Sequence, residues 1–88
     1  MEAKNRPVVV GKKPVVNYAL AVQARLAEGQ TLVCLRARGG NISKAFDACN
    51  MALNLGIPIE RGDVVWGQET GPKQQKVSYV EIRLSATS

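Results

Sequence analysis

The chain reads as a single α/β domain: a two-layer sandwich in which a four-stranded mixed sheet carries two helices on one face and ends in a protruding C-terminal hairpin. Three observations predict it. Strand-like and helical patterns alternate in the order β-α-β-α-β-β, glycines stand where each helical pattern ends, and the hydrophobic period falls to two in the last third. At 88 residues there is room for one core, which buries roughly 60 % of the surface an unfolded chain exposes, and for no second domain. Residues 1–6 read as a flexible tail.

"RPVVV" is a short strand, and Pro14 suits the first turn of the helix that follows, where its missing N–H is no loss. In "PVVNYALAVQARLAEG", Val15, Tyr18, Val22 and Leu26 recur at helical spacing, and Gly29 is the stop. "TLVCLRAR" is a continuous apolar run rich in β-branched residues, the pattern of a strand covered on both faces. After a glycine pair, "NISKAFDACNMALNLG" opens on Asn41 as N-cap and closes at Gly56. Its apolar residues fall into two stripes: Ile42, Ala45, Cys49 and Leu53, and then Ala48, Met51 and Leu55. One stripe faces the sheet, so the second needs a cover, and a two-fold copy of the chain supplies one.

The first two strands are joined by a helix, so they are expected to lie parallel with a right-handed crossover. Residues 63–85 then form a long hairpin around Gly71-Pro72, with Ser78, Val80, Ile82 and Leu84 alternating against Val77, Tyr79, Glu81 and Arg83. Its tip, from about Gln68 to Lys76, is polar and carries Lys73 and Lys76. Two readings fit the tip: a projecting arm or a disordered loop.

Composition excludes several classes of function. No apolar run approaches the roughly 18 residues of a membrane span, and "MEAKNRP" is too polar for a signal, so a cytoplasmic location is expected. Cys34 and Cys49 have no CxxC spacing and the chain has no histidine, so they read as buried free thiols, with no metal or cofactor called for. No two carboxylates are spaced for acid and base work, and "GKKP" lacks the upstream glycine and hydroxyl of a phosphate-binding loop. An enzyme is not expected.

Charge is distributed unevenly. Residues 1–44 hold eight Lys or Arg against two acids, and residues 45–88 hold four against five, a split of +6 and −1. Such asymmetry suits a basic face for a polyanion, although a solvated surface also accounts for it. The basic residues gather at two strand-to-helix junctions. Lys12 and Lys13 stand where the positive end of a helix dipole repels them unless an anion binds. At the second junction Arg36 and Arg38 end a strand, Gly39 and Gly40 permit close backbone approach, and Lys44 lies in the first turn of the next helix. If the first two strands are parallel neighbours, Lys12, Lys13, Arg36, Arg38 and Lys44 share one edge of the sheet.

"GKKPVVNYALA", "RARGGNISKAFD" and the late "VVWGQE…VSYVEIRL" resemble the Alba family of archaeal chromatin proteins over about residues 6–85. The resemblance implies a small homodimer that binds double-stranded DNA with little sequence preference, and RNA as well, in association with the chromosome. By position it implies nucleic-acid contacts at Lys12, Lys13, Asn17, Arg36, Arg38, Gly39, Gly40, Asn41 and Lys44. It further implies a contact of the arm, with Lys73 and Lys76, to a duplex groove, and acetylation at Lys12 reversed by a lysine deacetylase. Two departures stand out: many members read A-R-G-R where this chain has Gly40, and many have a Phe joining neighbouring dimers where this chain has Gly56. Such divergence is similar to that of a second paralogue, which implies heterodimers with a main form. An RNA-binding protein that stabilises structured RNA is the alternative within the same fold.

Overall fold

The computed structural model describes residues 6–87. The elements are β1 (Val8–Val9), α1 (Val15–Ala27), β2 (Leu32–Arg38), a single 3₁₀ turn at Gly39–Asn41, α2 (Ile42–Asn54), β3 (Ile59–Thr70) and β4 (Lys76–Ala86). They form a four-stranded sheet in the order β1-β2-β4-β3. β1 runs parallel to β2, pairing Val8 with Leu35 and Val9 with Arg36, while β4 lies antiparallel to both of its neighbours. The β-α-β-α-β-β order and the mixed sheet expected from the sequence are therefore present. β1 is shorter than "RPVVV", though Val10 N–H still donates to the Arg36 carbonyl at 2.8 Å.

Alternation along the strands sorts the two faces. Val33, Leu35 and Ala37 of β2 pair with Leu84, Ile82 and Val80 of β4, and all six are buried against the helices. Their neighbours Leu32, Arg36 and Arg38 are exposed and Cys34 is half-buried. β2 is thus covered on one face only, contrary to the expectation from its apolar run. Both helices sit on the Leu35 side, packed on each other and on the sheet.

Each helix ends by the same device. Gly29 N–H donates to the Leu26 carbonyl (3.0 Å) and Gln30 N–H to the Arg25 carbonyl (3.2 Å). The same pair of bonds recurs from Gly56 to Leu53 and from Ile57 to Ala52, both 3.1 Å. This pattern needs a residue with positive φ just past the helix, and Gly29 (φ 96°) and Gly56 (φ 80°) provide it. Gly56 therefore has a local reason to be glycine. The helix starts differ from expectation: Pro14 occupies the N-cap position instead of the first turn, and Asn41 at the second N-cap makes no side-chain capping bond. Asn41 has helical φ and ψ because the 3₁₀ turn runs straight into α2.

The core face of α2 is made of small residues. Ala45, Ala48, Cys49 and Ala52 are fully buried, whereas Leu53 and Leu55 are exposed and Met51 packs partly against the core. Ala48 thus faces its own chain and offers a partner no surface, and Leu53 leaves the core stripe to which its helical spacing assigned it. On the flank of α2 nearer the hairpin, Phe46 stacks on Trp66 of β3 with ring centroids 5.8 Å apart and planes 27° from parallel. Trp66 remains 59 % exposed and Leu53, which follows Phe46 two turns on along α2, 41 %.

β3 begins earlier than the sequence suggests, at Ile59, with an irregularity in its pairing to β4 between Arg61 and Val64. β2 pairs with β4 only as far as Tyr79, so the hairpin continues beyond the sheet as a two-stranded arm. Its tip is a tight turn in which Gly71 N–H donates to the Gln75 carbonyl (2.7 Å) and Gln74 N–H to the Gly71 carbonyl (2.9 Å). The projecting arm, not the disordered loop, is what the pairing gives.

Leu35 sits fully buried on the central strand, between β1 and β4 and beneath both helices. Leu35→Ala should cost about 2 to 5 kcal/mol of unfolding free energy, read from the shift of a urea denaturation midpoint.

Candidate nucleic-acid interface

Parallel pairing of β1 and β2 brings the two strand-to-helix junctions side by side. Between them the 11–13 loop is held by two side chains. Tyr18, one turn into α1, is buried, with 7 % of the residue exposed, and its hydroxyl oxygen accepts from Gly11 N–H (2.8 Å) and Lys13 N–H (3.0 Å). From the other side Lys44 of α2 donates its ammonium to the carbonyls of Gly11 and Lys13, both at 3.0 Å. Amides and carbonyls of the same two residues are thereby satisfied, and the intervening side chain, Lys12, is left facing out. Lys12 and Lys13 are exposed and have no acidic partner among the described residues.

Of the residues expected at this edge, the structure gathers three and separates two. Lys12, Lys13 and Lys44 meet at the loop, but Lys44 acts as a brace and not as an outward contact. Its carbonyl partners come within reach only because β1 and β2 are neighbours, which no local pattern reveals. Arg36 and Arg38 instead project from the open face of the sheet. Arg38 pairs with Glu69 of β3 at 2.6 Å, and Arg36 and Arg83 share Glu81 of β4 at 3.7 and 3.4 Å. Such exposed pairs are worth about 0 to 1 kcal/mol, so a phosphate can displace the carboxylates. Gly39 and Gly40 are exposed on the turn, Asn17 is exposed on the first turn of α1, and Lys73 and Lys76 are exposed on the arm.

Gly11, Val9, Arg36, Arg38, Asn41 and Tyr79 line a groove of about 430 Å³ that runs from the loop onto the open face. Three residues here escape sequence reasoning. Tyr18 looks like an ordinary core position, although a buried tyrosine hydroxyl needs a partner, and Glu69 and Glu81 acquire their roles only through strand register. Burial pushes both thiols up, with the nearby Glu81 charge adding to the effect at Cys34 and Arg61 opposing it at Cys49. Cys34 is only half-buried, unlike the expectation for it. Among the described residues no group of three His, Cys, Asp or Glu could hold a metal, and no helix is long and apolar enough to cross a membrane.

Fold and surface together define a small α/β sandwich that presents a braced basic loop and a basic two-stranded arm. The family model Alba matches residues 7–56, and the chain belongs to the Alba family. It is 36% identical over 86 residues to the DNA/RNA-binding protein Alba of Methanoculleus marisnigri, covering 93% of this chain and 94% of that one. It is 37% identical over 82 residues to DNA/RNA-binding protein Alba 1 of Archaeoglobus fulgidus, covering 89% and 92%. Among solved structures, Alba from Thermoplasma volcanium superposes with a TM-score of 0.81 at 33% identity, over 91% of this chain and 99% of that one. The crystal structure of ALBA1 from Trypanosoma brucei gives the same TM-score, 0.81, at 19% identity over 93% and 69%, a likeness of fold. The family is one of nucleic-acid-binding proteins and not of enzymes.

If Tyr18 braces the loop, Tyr18→Phe should leave the core packed yet orphan two amides, at a cost of about 1 to 3 kcal/mol. Faster hydrogen exchange at the Gly11 and Lys13 amides, against unchanged exchange in β4, is the expected readout.

Proposed function

We propose that the chain is an architectural nucleic-acid-binding protein that coats or compacts chromosomal double-stranded DNA with little sequence preference, and that it binds RNA as well. The observation that carries this reading is the braced loop, which holds Lys12 and Lys13 outward with no acid beside them. Relatives named for binding DNA and RNA support it. Phosphate contacts position a protein on a duplex while base edges specify sequence, and the outward inventory here is Lys, Arg and backbone. Lys73 and Lys76 extend the same charge along the arm to a duplex groove. Acetylation of Lys12, reversed by a deacetylase, would remove one phosphate contact without touching the fold, because the loop is held through residues 11, 13, 18 and 44.

The working unit is a dimer, and the surface that favours it is the hairpin-side flank of α2 with its exposed Trp66 and Leu53 and the half-buried Phe46. This replaces the Ala48, Met51 and Leu55 stripe, of which only Leu55 is well exposed. A paralogue with the same flank could take the place of the second copy. With glycine at position 56, no aromatic is available there to join neighbouring dimers, so cooperative coating is weak in this protein alone.

Salt dependence tests the phosphate reading. Lys12→Ala with Lys13→Ala removes about four phosphate contacts per dimer, and the slope of log K against log salt should flatten by roughly 0.9 for each. An unchanged slope would move the site elsewhere. For assembly, Leu53→Lys with Trp66→Lys should shift sedimentation from dimer to monomer, whereas a monomeric parent protein would refute the dimer.

A further inference from the structure

The open face of the sheet carries an aromatic arrangement that phosphate contacts leave unused. Register sets Arg38 of β2, Tyr79 of β4 and Gly67 of β3 in one row on that face. A glycine inside a strand often marks a close approach to its backbone. Here the approaching group is Tyr79: a Cβ built at Gly67 would lie 2.6 Å from Cζ and Oη of the ring and 2.8 Å from Cε2. The phenol therefore rests on the Gly67 backbone, where any side chain at 67 would displace it. Held in that way, the ring forms one wall of the groove of about 430 Å³ lined also by Val9, Arg36, Arg38, Asn41 and Glu69.

Size and chemistry limit what fits. The groove is nucleotide-sized, and a ring lying on a sheet cannot reach a base that is stacked inside a duplex. We propose that this groove takes one unpaired nucleotide of RNA, its base stacked on Tyr79. Unpaired bases splayed from RNA loops are recognised by aromatic stacking together with hydrogen bonds to base edges and to the 2′-hydroxyl. Each of those elements has a counterpart here. Arg36 and Arg38 supply cations for the flanking phosphates, and the Asn41 amide both donates and accepts for a base edge. Glu69 is otherwise out of place in a groove for an anion, but its carboxylate accepts only, which suits the 2′-hydroxyl of a ribose and finds no donor at that position on DNA. The Arg38 to Glu69 pair at 2.6 Å is exposed and so can open as the nucleotide enters. The inference rests on the reading of the chain as a nucleic-acid binder and adds a site for single strands that starts beside Gly11 and runs from the lysine loop onto the open face.

Fluorescence anisotropy at one salt concentration, with a labelled short oligouridylate, its deoxy counterpart and a duplex DNA, tests it. Tyr79→Ala should weaken oligouridylate binding about five- to hundredfold, the scale of one lost stacking contact, while duplex affinity stays within about twofold. Tyr79→Phe should bind oligouridylate almost as the parent does. Tyr79→Leu keeps apolar bulk over Gly67 and the hairpin paired, and should lose oligouridylate as Tyr79→Ala does. The proposal is overturned if both the Ala and Leu variants bind oligouridylate unchanged, or if oligouridylate and duplex weaken together. A deoxy counterpart bound as tightly as oligouridylate overturns the assignment to RNA. Failure of the architectural reading looks different, because the parent protein would then bind duplex DNA without dependence on Lys12 and Lys13.

Discussion

Everything the basic edge does depends on four hydrogen bonds around two residues. A loop that points adjacent lysines outward at a helix start is electrostatically unfavourable and, left to itself, mobile. Tyr18 and Lys44 remove that mobility by taking the amides and carbonyls of Gly11 and Lys13. A buried hydroxyl and a partly buried ammonium each need such partners, so the brace satisfies the core and the loop together. It also adds a third positive charge behind Lys12 and Lys13. On the proposed function a phosphate would meet an arranged pair of cations, with little ordering entropy left to lose on binding.

One-sided covering of the sheet is the second constraint. With both helices on the Leu35 face, the opposite face must carry residues that tolerate water, and it does so with Arg36, Arg38, Arg83, Glu69 and Glu81 in exposed pairs. Those pairs contribute little to stability, which leaves the arginines available to a ligand. The arm follows from the same architecture. β3 and β4 outrun β2 beyond Tyr79, so the hairpin leaves the body with its lysines and without any core residue to tie it down.

Much of this was legible in the sequence. Period and punctuation gave the element order, and Gly29 and Gly56 marked helix ends because only a positive φ closes that bond pattern. β2 misled because Leu32 and Cys34 put apolar side chains at open-face positions, so the alternation shows only from Arg36 onward. α2 misled through spacing, which put Leu53 in one stripe with Ala45 and Cys49 and Ala48 in the other. Its core face is built of alanines and one cysteine that let it approach the sheet closely, while the larger Leu53 and Leu55 lie outside. At the site, the outward lysines could be read from "GKKP", and Tyr18 reaches back only to the loop before its own helix, but the roles of Lys44, Glu69 and Tyr79 depend on which strands are neighbours and in what register. Local pattern carries neither.

The most direct measurement is a residue-by-residue NMR titration of the protein with a short duplex DNA. The account predicts that the largest amide and side-chain shifts fall on Gly11, Lys12 and Lys13 and on the arm around Lys73, with Val16 and Leu20 on the outer side of α1 unmoved. Shifts concentrated on α1, with the 11–13 loop silent, would contradict it.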